Sequence, residues 1–194
     1  MRPISAAILA AACLLSAAVE ADDHAHLLSE SRQVAGSLLQ QLGARLRTAL
    51  EENGPEGAVP VCRNIAPELA GQLSRETGWR VARVSLRTRN PLLGTPDAWE
   101  QNALAEFDRR AAAGEKAEAM EVGEIVQEPA GRYFRYVKAI PVGPLCVTCH
   151  GPRDQISPFI VEQLAKEYPH DRAVGYTPGQ VRGAVTIKRR LDQN

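Results

Sequence analysis

Residues 146–150 read Cys-Val-Thr-Cys-His, and any fold of this chain has to accommodate what those five residues do. Two thiols two residues apart, followed at once by an imidazole, suit three kinds of chemistry. In a haem c site each thiol adds to one vinyl group and the imidazole binds iron from the same side, so the chain must wrap a macrocycle. A thioredoxin-like redox pair instead opens a helix after a strand. A zinc site needs further ligands from elsewhere in the chain. Here the pair follows Pro-Val-Gly-Pro-Leu and is closed off by Gly151-Pro152, which suits no helix start. Zinc would have to draw on Cys62, His170, His24 or His26, and the adjacent Cys149 and His150 are awkward as simultaneous ligands. The pattern favours one covalent haem c, with the redox pair and zinc as the alternatives.

The start of the chain points the same way. Arg2 precedes an uncharged apolar run over residues 4–19, and small residues follow, with cleavage expected after Ala21. The run is short for a membrane span and lacks a stop-transfer flank. Residues 1–21, including Cys13, are therefore expected to be removed as a signal peptide. Residues 22–194 are then a single periplasmic domain without a membrane segment. Covalent haem attachment in bacteria follows export, so the signal strengthens the haem reading. The chain carries 23 basic and 23 acidic residues; balanced and scattered, they give no footprint for nucleic acid or an anionic membrane. The exported domain keeps Cys62, Cys146 and Cys149. An odd thiol in an oxidising compartment calls for an intermolecular bond, a reactive role or a ligand role.

Helical patterns come first along the chain. Val34, Leu38, Leu42, Leu46 and Leu50 recur at helical spacing within a long helix over 27–52. A second helix carries Val61, Cys62, Ile65, Leu69 and Leu73, with Pro67 kinking it or starting a new turn and Gly78 ending it. A strand over 79–88 follows, then a helix starting at Thr95-Pro96 with Trp99, Ala103 and Phe107 on its buried face. Residues 121–128 and 132–142 flank Pro129-Ala130-Gly131 as a hairpin. Ser157-Pro158 opens a short helix, and Val181, Gly183, Val185 and Ile187 alternate as a half-buried strand. The order predicts an α+β domain, an antiparallel sheet covered by helices.

The second iron ligand is not fixed by spacing. No methionine follows His150, and Met120 sits in the polar run Gly-Glu-Lys-Ala-Glu-Ala-Met. His24, His26 and His170 read as solvated surface. Cys62, on an apolar helix face, is either a small buried hydrophobe, as most free cysteines are, or an axial ligand whose thiolate iron would stabilise. The residues alone leave both open.

Four stretches in order, "AVPVCRNIAPELA", "RVSLRTRNP" with "PDAWE", "CVTCHG" and "GYTPGQVRGAV", resemble the PAS-like c-type haem domains long catalogued as a domain of unknown function. The resemblance covers about residues 30–190. It implies a PAS-like antiparallel sheet flanked by helices behind a long N-terminal helix, with one covalent haem held through Cys146 and Cys149. It also implies iron ligation by His150 and Cys62. "RNPLLGTPD" departs from the family, which often has asparagine after the proline. Arg83, Ser85, Arg87 and Arg89 alternate along the expected strand and share a face. Arginine binds carboxylates bidentately, so Arg89 and Asn90, at the loop start, are the expected neighbours of the haem propionates.

Function is expected to be a periplasmic redox or gas sensor that binds a diatomic gas when reduced and signals to a partner protein. The alternative is an electron carrier serving a redox partner. Enzymatic activity is not expected, since no Ser/His/Asp pattern, phosphate loop or further metal cluster is visible.

Overall fold

A computed structural model describes the backbone of residues 5–192 and the side chains of residues 23–192. The expected signal peptide, with Cys13 and the cleavage point at Ala21, lies outside the described side chains. Among the described residues, no helix is long and apolar enough to cross a membrane.

The chain is α+β. A long helix, α1 (Ser5–Asn53), leads through one 3-10 turn into a short helix, α2 (Ala58–Pro60), a widened turn (Val61–Ile65) and α3 (Ala66–Thr77). Gly78 ends α3 in the left-handed conformation, φ 71°, which costs glycine nothing. The four strands are β1 (Arg80–Val84), β2 (Glu121–Glu128), β3 (Gly131–Pro141) and β4 (Val181–Arg190). They form one antiparallel sheet in the order β1-β4-β3-β2. Between β1 and β2 lie α4 (Pro91–Gly94) and α5 (Ala98–Ala112); between β3 and β4 lie α6 (Val147–His150) and α7 (Pro158–Glu167).

The sheet is covered on both faces. On one, Leu38 of α1 and Leu69, Ala70 and Leu73 of α3 pack on Val81, Phe134, Tyr136, Val185 and Ile187. On the other, Leu104 and Phe107 of α5 pack with Met120 on Val84, Val137, Ala139 and Ala184. The expected apolar face of α1 divides its work. Leu38 and Leu42 join the sheet core, whereas Leu46 and Leu50 pack with Ile160 and Leu164 of α7.

Four expectations are corrected. The first strand ends at Val84, not Thr88, because the Ser85 hydroxyl donates to the Arg182 carbonyl (2.8 Å) and accepts from the Arg87 amide. That local hydroxyl bonding closes a turn instead of continuing a ladder. The third helix begins at Ala98 because Asp97 and Glu100 form a reciprocal capping box, while Thr95 bonds back to the Pro91 carbonyl. β4 is a central strand and is buried on both faces rather than one. Finally, its alternation breaks: Ile140 pairs with Gly183 but Pro141 pairs with Val181, leaving Arg182 as the extra residue of a bulge.

Candidate functional site

The end of β3 delivers the chain to the five-residue motif. Cys146 precedes α6, a single turn in which the amides of Cys149 and His150 both bond the Cys146 carbonyl. The motif was expected to suit no helix start, and this one turn is a correction. It ends at once because Gly151, which precedes Pro152, is extended with ψ -176°. A following loop then locks the turn in place. Gly175 and Tyr176 donate backbone hydrogen bonds to the carbonyls of Gly151 and His150 (2.7 and 2.9 Å).

His150 is held as a ligand would be. Its Nδ1 donates to the Ala173 carbonyl at 2.6 Å, which leaves Nε2 as the nitrogen with a lone pair. Burial, with the nearby charges of Arg182 and Arg89, holds its pKa well below the usual histidine value, so the ring is neutral. Arg182 Nε lies 3.2 and 3.4 Å from the two ring nitrogens. It reaches the ring because the bulge turns it away from Ala184, a re-aiming that bulges commonly provide.

Cys62 comes from the widened turn before α3. Pro67 offers no N–H to the carbonyl four residues back, and the ladder adapts by one wider π turn in which the Ala66 amide bonds the Val61 carbonyl. Cys62 is half-buried and belongs to none of the buried core clusters. It faces a cavity of about 490 Å3 that is also lined by Cys146, Cys149 and His150. Leu39, Leu42, Leu46, Val81 and Ile140 make much of the cavity wall apolar.

Arg89 and Asn90 reach this cavity too, and each side chain is engaged in part. Arg89 is buried, bonds Asp171 at 3.1 Å and donates to the carbonyls of Cys149 and Ala173. It ties the motif to the 171–176 loop. The Asn90 side-chain oxygen caps α4 by accepting from the Leu92 amide. Arg83 is different. It lines the cavity, burial pulls its pKa down, and no acceptor among the described residues bonds its guanidinium. The expected row of four did not separate these roles because the strand stops at Val84, and Arg87 turns away to stack on Tyr176 at 3.7 Å.

The other sequence candidates lie elsewhere. Met120, expected in a polar surface segment, is fully buried in the α5-side core. His24 packs edge-on against Phe134 and bonds the Gly123 carbonyl at 3.1 Å instead of sitting in a frayed start. His26 and His170 are exposed. Sequence reading missed Arg182; its one signal is a charged residue before a glycine that must be small. An added Cβ at Gly183 would lie 2.3 Å from the Val84 carbonyl.

The cavity suits a planar tetrapyrrole. Two thiols and a neutral imidazole from one turn, a third thiol from another element, an apolar wall and an unpaired guanidinium match its vinyl groups, iron, ring faces and carboxylates. A redox pair suits it less, because burial pushes the Cys149 thiol up to about 11, whereas reactive thiols are depressed. For zinc, no three His, Cys, Asp or Glu side chains converge among the described residues.

Comparison with known proteins agrees with this geometry. Residues 15–189 match the family model described as Tll0287-like. The fold is similar to the crystal structure of the cyanobacterial haem protein Tll0287, with a TM-score of 0.62 and 22% identity over 89% of this chain and 98% of that one. A search of curated proteins gives no match. The chain belongs to the Tll0287-like family.

Proposed function

We propose that this member of the family is an exported, periplasmic protein with one haem c, and that it senses redox state or a diatomic gas. Cys146 and Cys149 would form the thioethers, and His150 and Cys62 would hold the iron. Bound haem supplies an iron that changes oxidation state and exchanges a protein ligand for a gas. One observation carries the reading. Residues from two segments far apart in sequence, Cys62 and the 146–150 motif, face each other across a single apolar cavity.

The chain's own residues give the two sides different stiffness. His150 is anchored through its ring by the Ala173 carbonyl and through its own carbonyl by the Tyr176 amide. Cys62 sits in a π turn, a local widening that often marks functional sites in helices. An anionic thiolate favours ferric over ferrous iron, because reduction removes one positive charge from the metal. Cys62 would thus be the side that lets go and His150 the side that holds, and the α2–α3 segment would be the element a partner reads. Arg83 supplies the guanidinium for a propionate. The electron-carrier reading has one observation in its favour: Leu93 and Leu145 line the cavity while remaining 55% and 52% exposed, an apolar rim on which a redox partner could dock.

Carbon monoxide added to the dithionite-reduced protein separates the two. The sensor predicts a Soret shift as gas takes the Cys62 position, and Cys62→Ala should bind the gas without displacing a ligand. A reduced protein that ignores the gas and keeps both ligands supports the carrier instead.

A further inference from the structure

A second cleft, of about 1160 Å3, opens on the other side of Arg182 between α5, the 113–118 turn and the 175–180 loop. Ser85, Arg182 and Gly183 line both this cleft and the 490 Å3 cavity, so they form the wall between them. Four charged side chains line it without a hydrogen-bonding or ion-pair partner among the described residues: Arg87 and Asp108, and the exposed Lys116 and Glu118 of the 113–118 turn. Arg87 stacks its guanidinium face on the Tyr176 ring at 3.7 Å, and its backbone is clamped, the amide to the Ser85 hydroxyl and the carbonyl to Arg182. Stacking uses the face of the guanidinium and leaves its in-plane N–H groups free for a bidentate carboxylate. Asp108, on α5, has its pKa raised by partial burial, with Arg87 opposing. Its carboxylate is exposed and receives no donor among the described residues. The floor beneath is apolar and small, from Leu104, Ala111 and Ala117.

We propose that this cleft binds a small zwitterion, an α-amino acid, with its carboxylate on Arg87 and its ammonium on Asp108. Two opposite charges that share a cleft but do not bond each other are both satisfied by a ligand carrying the two complementary charges. Occupancy would be felt at the first cavity through direct contacts. The Tyr176 ring is edge-on to His150 with centroids 6.3 Å apart, and the Arg87 carbonyl accepts from the same Arg182 that touches the imidazole. This second step rests on His150 being an iron ligand; the binding step does not.

The test uses haem-loaded protein and the standard L-amino acids, each added singly. Calorimetry reads binding, and the Soret band with the midpoint potential reads the coupling. At least one amino acid should bind and shift both haem readouts. Arg87→Gln and Asp108→Asn should each weaken it ~10- to 100-fold, the loss of one charge-assisted contact. Arg109→Ala, on the outer face of α5, should leave binding unchanged. If no amino acid binds, or if the Arg87 and Asp108 variants bind equally well, the site is wrong. Binding with an unmoved haem spectrum and potential overturns the coupling alone. Haem that proves non-covalent would overturn the haem reading while the calorimetric result stood.

Discussion

Two arginines on the sheet, Arg135 of β3 and Arg83 of β1, sit in opposite electrostatic settings. Arg135 is 2% exposed and bonds Asp97 (2.7 Å) and Glu128 (2.8 Å), lies 3.4 Å from Glu100 and stacks over Trp99. Glu100 is fully buried and also accepts from Arg80 and Thr186 (3.0 and 2.7 Å). Arg83 looks into an apolar cavity with no such partners. A buried charge needs a counter-charge. Where the fold builds the counter-charge in, the arginine fixes structure; where it builds none, the arginine waits for an anionic ligand.

Removing each arginine should therefore act differently. Arg135→Ala leaves the buried Glu100 with Arg80 and Thr186 and leaves Glu128 with Lys188, so the cost falls at the low end for a broken buried ion pair, about 3 kcal/mol. Urea unfolding should show that loss in the apoprotein and the haem-loaded protein alike. Arg83→Met should change sign with loading. The apoprotein should be as stable or more so, because an unpaired charge has gone, while the haem-loaded protein loses about 1.5–3 kcal/mol of charge-assisted bonding. A loss of equal size in both forms would mean that Arg83 is structural like Arg135, and the comparison would break.

Acid sharpens the contrast with a smaller effect. Burial tends to raise the carboxyl pKa of Asp97, but the Glu100 amide and Arg135 outweigh it, and the net direction is down. Glu128 is likewise lowered against its burial, by Lys188 and Arg135. A folded pKa below the unfolded value gives stability that is present above the unfolded value and lost as pH falls through the folded one. Stability should therefore decline below about pH 4, the ordinary carboxylate range. Arg135→Ala should flatten that decline, and Arg83→Met should leave it unchanged.

Local signals were legible in the sequence wherever one residue decides the outcome. Gly78 capped a helix, Pro129-Ala130-Gly131 turned a hairpin, and Ser157-Pro158 opened α7. Cys62, Cys146, Cys149 and His150, which the motif and the odd thiol single out chemically, line one cavity. What the sequence hid depends on partners far along the chain. The β1 strand stops where Ser85 bonds Arg182, and Arg182 points at His150 only because of a bulge opposite Ile140 and Pro141. Met120 reads as polar because its neighbours are, yet the sheet buries it. Arg89 and Arg83 look equivalent in a row of alternating residues. Only Asp171 and the carbonyls of Cys149 and Ala173 set Arg89 apart.

The account stands on haem being bound through the two motif thiols. Protein made with the haem-attachment machinery should keep its haem through acid-acetone extraction, and peptide mass spectrometry should place it on the fragment holding Cys146 and Cys149. Haem that extracts completely, or a stoichiometric zinc ion in its place, would contradict the account.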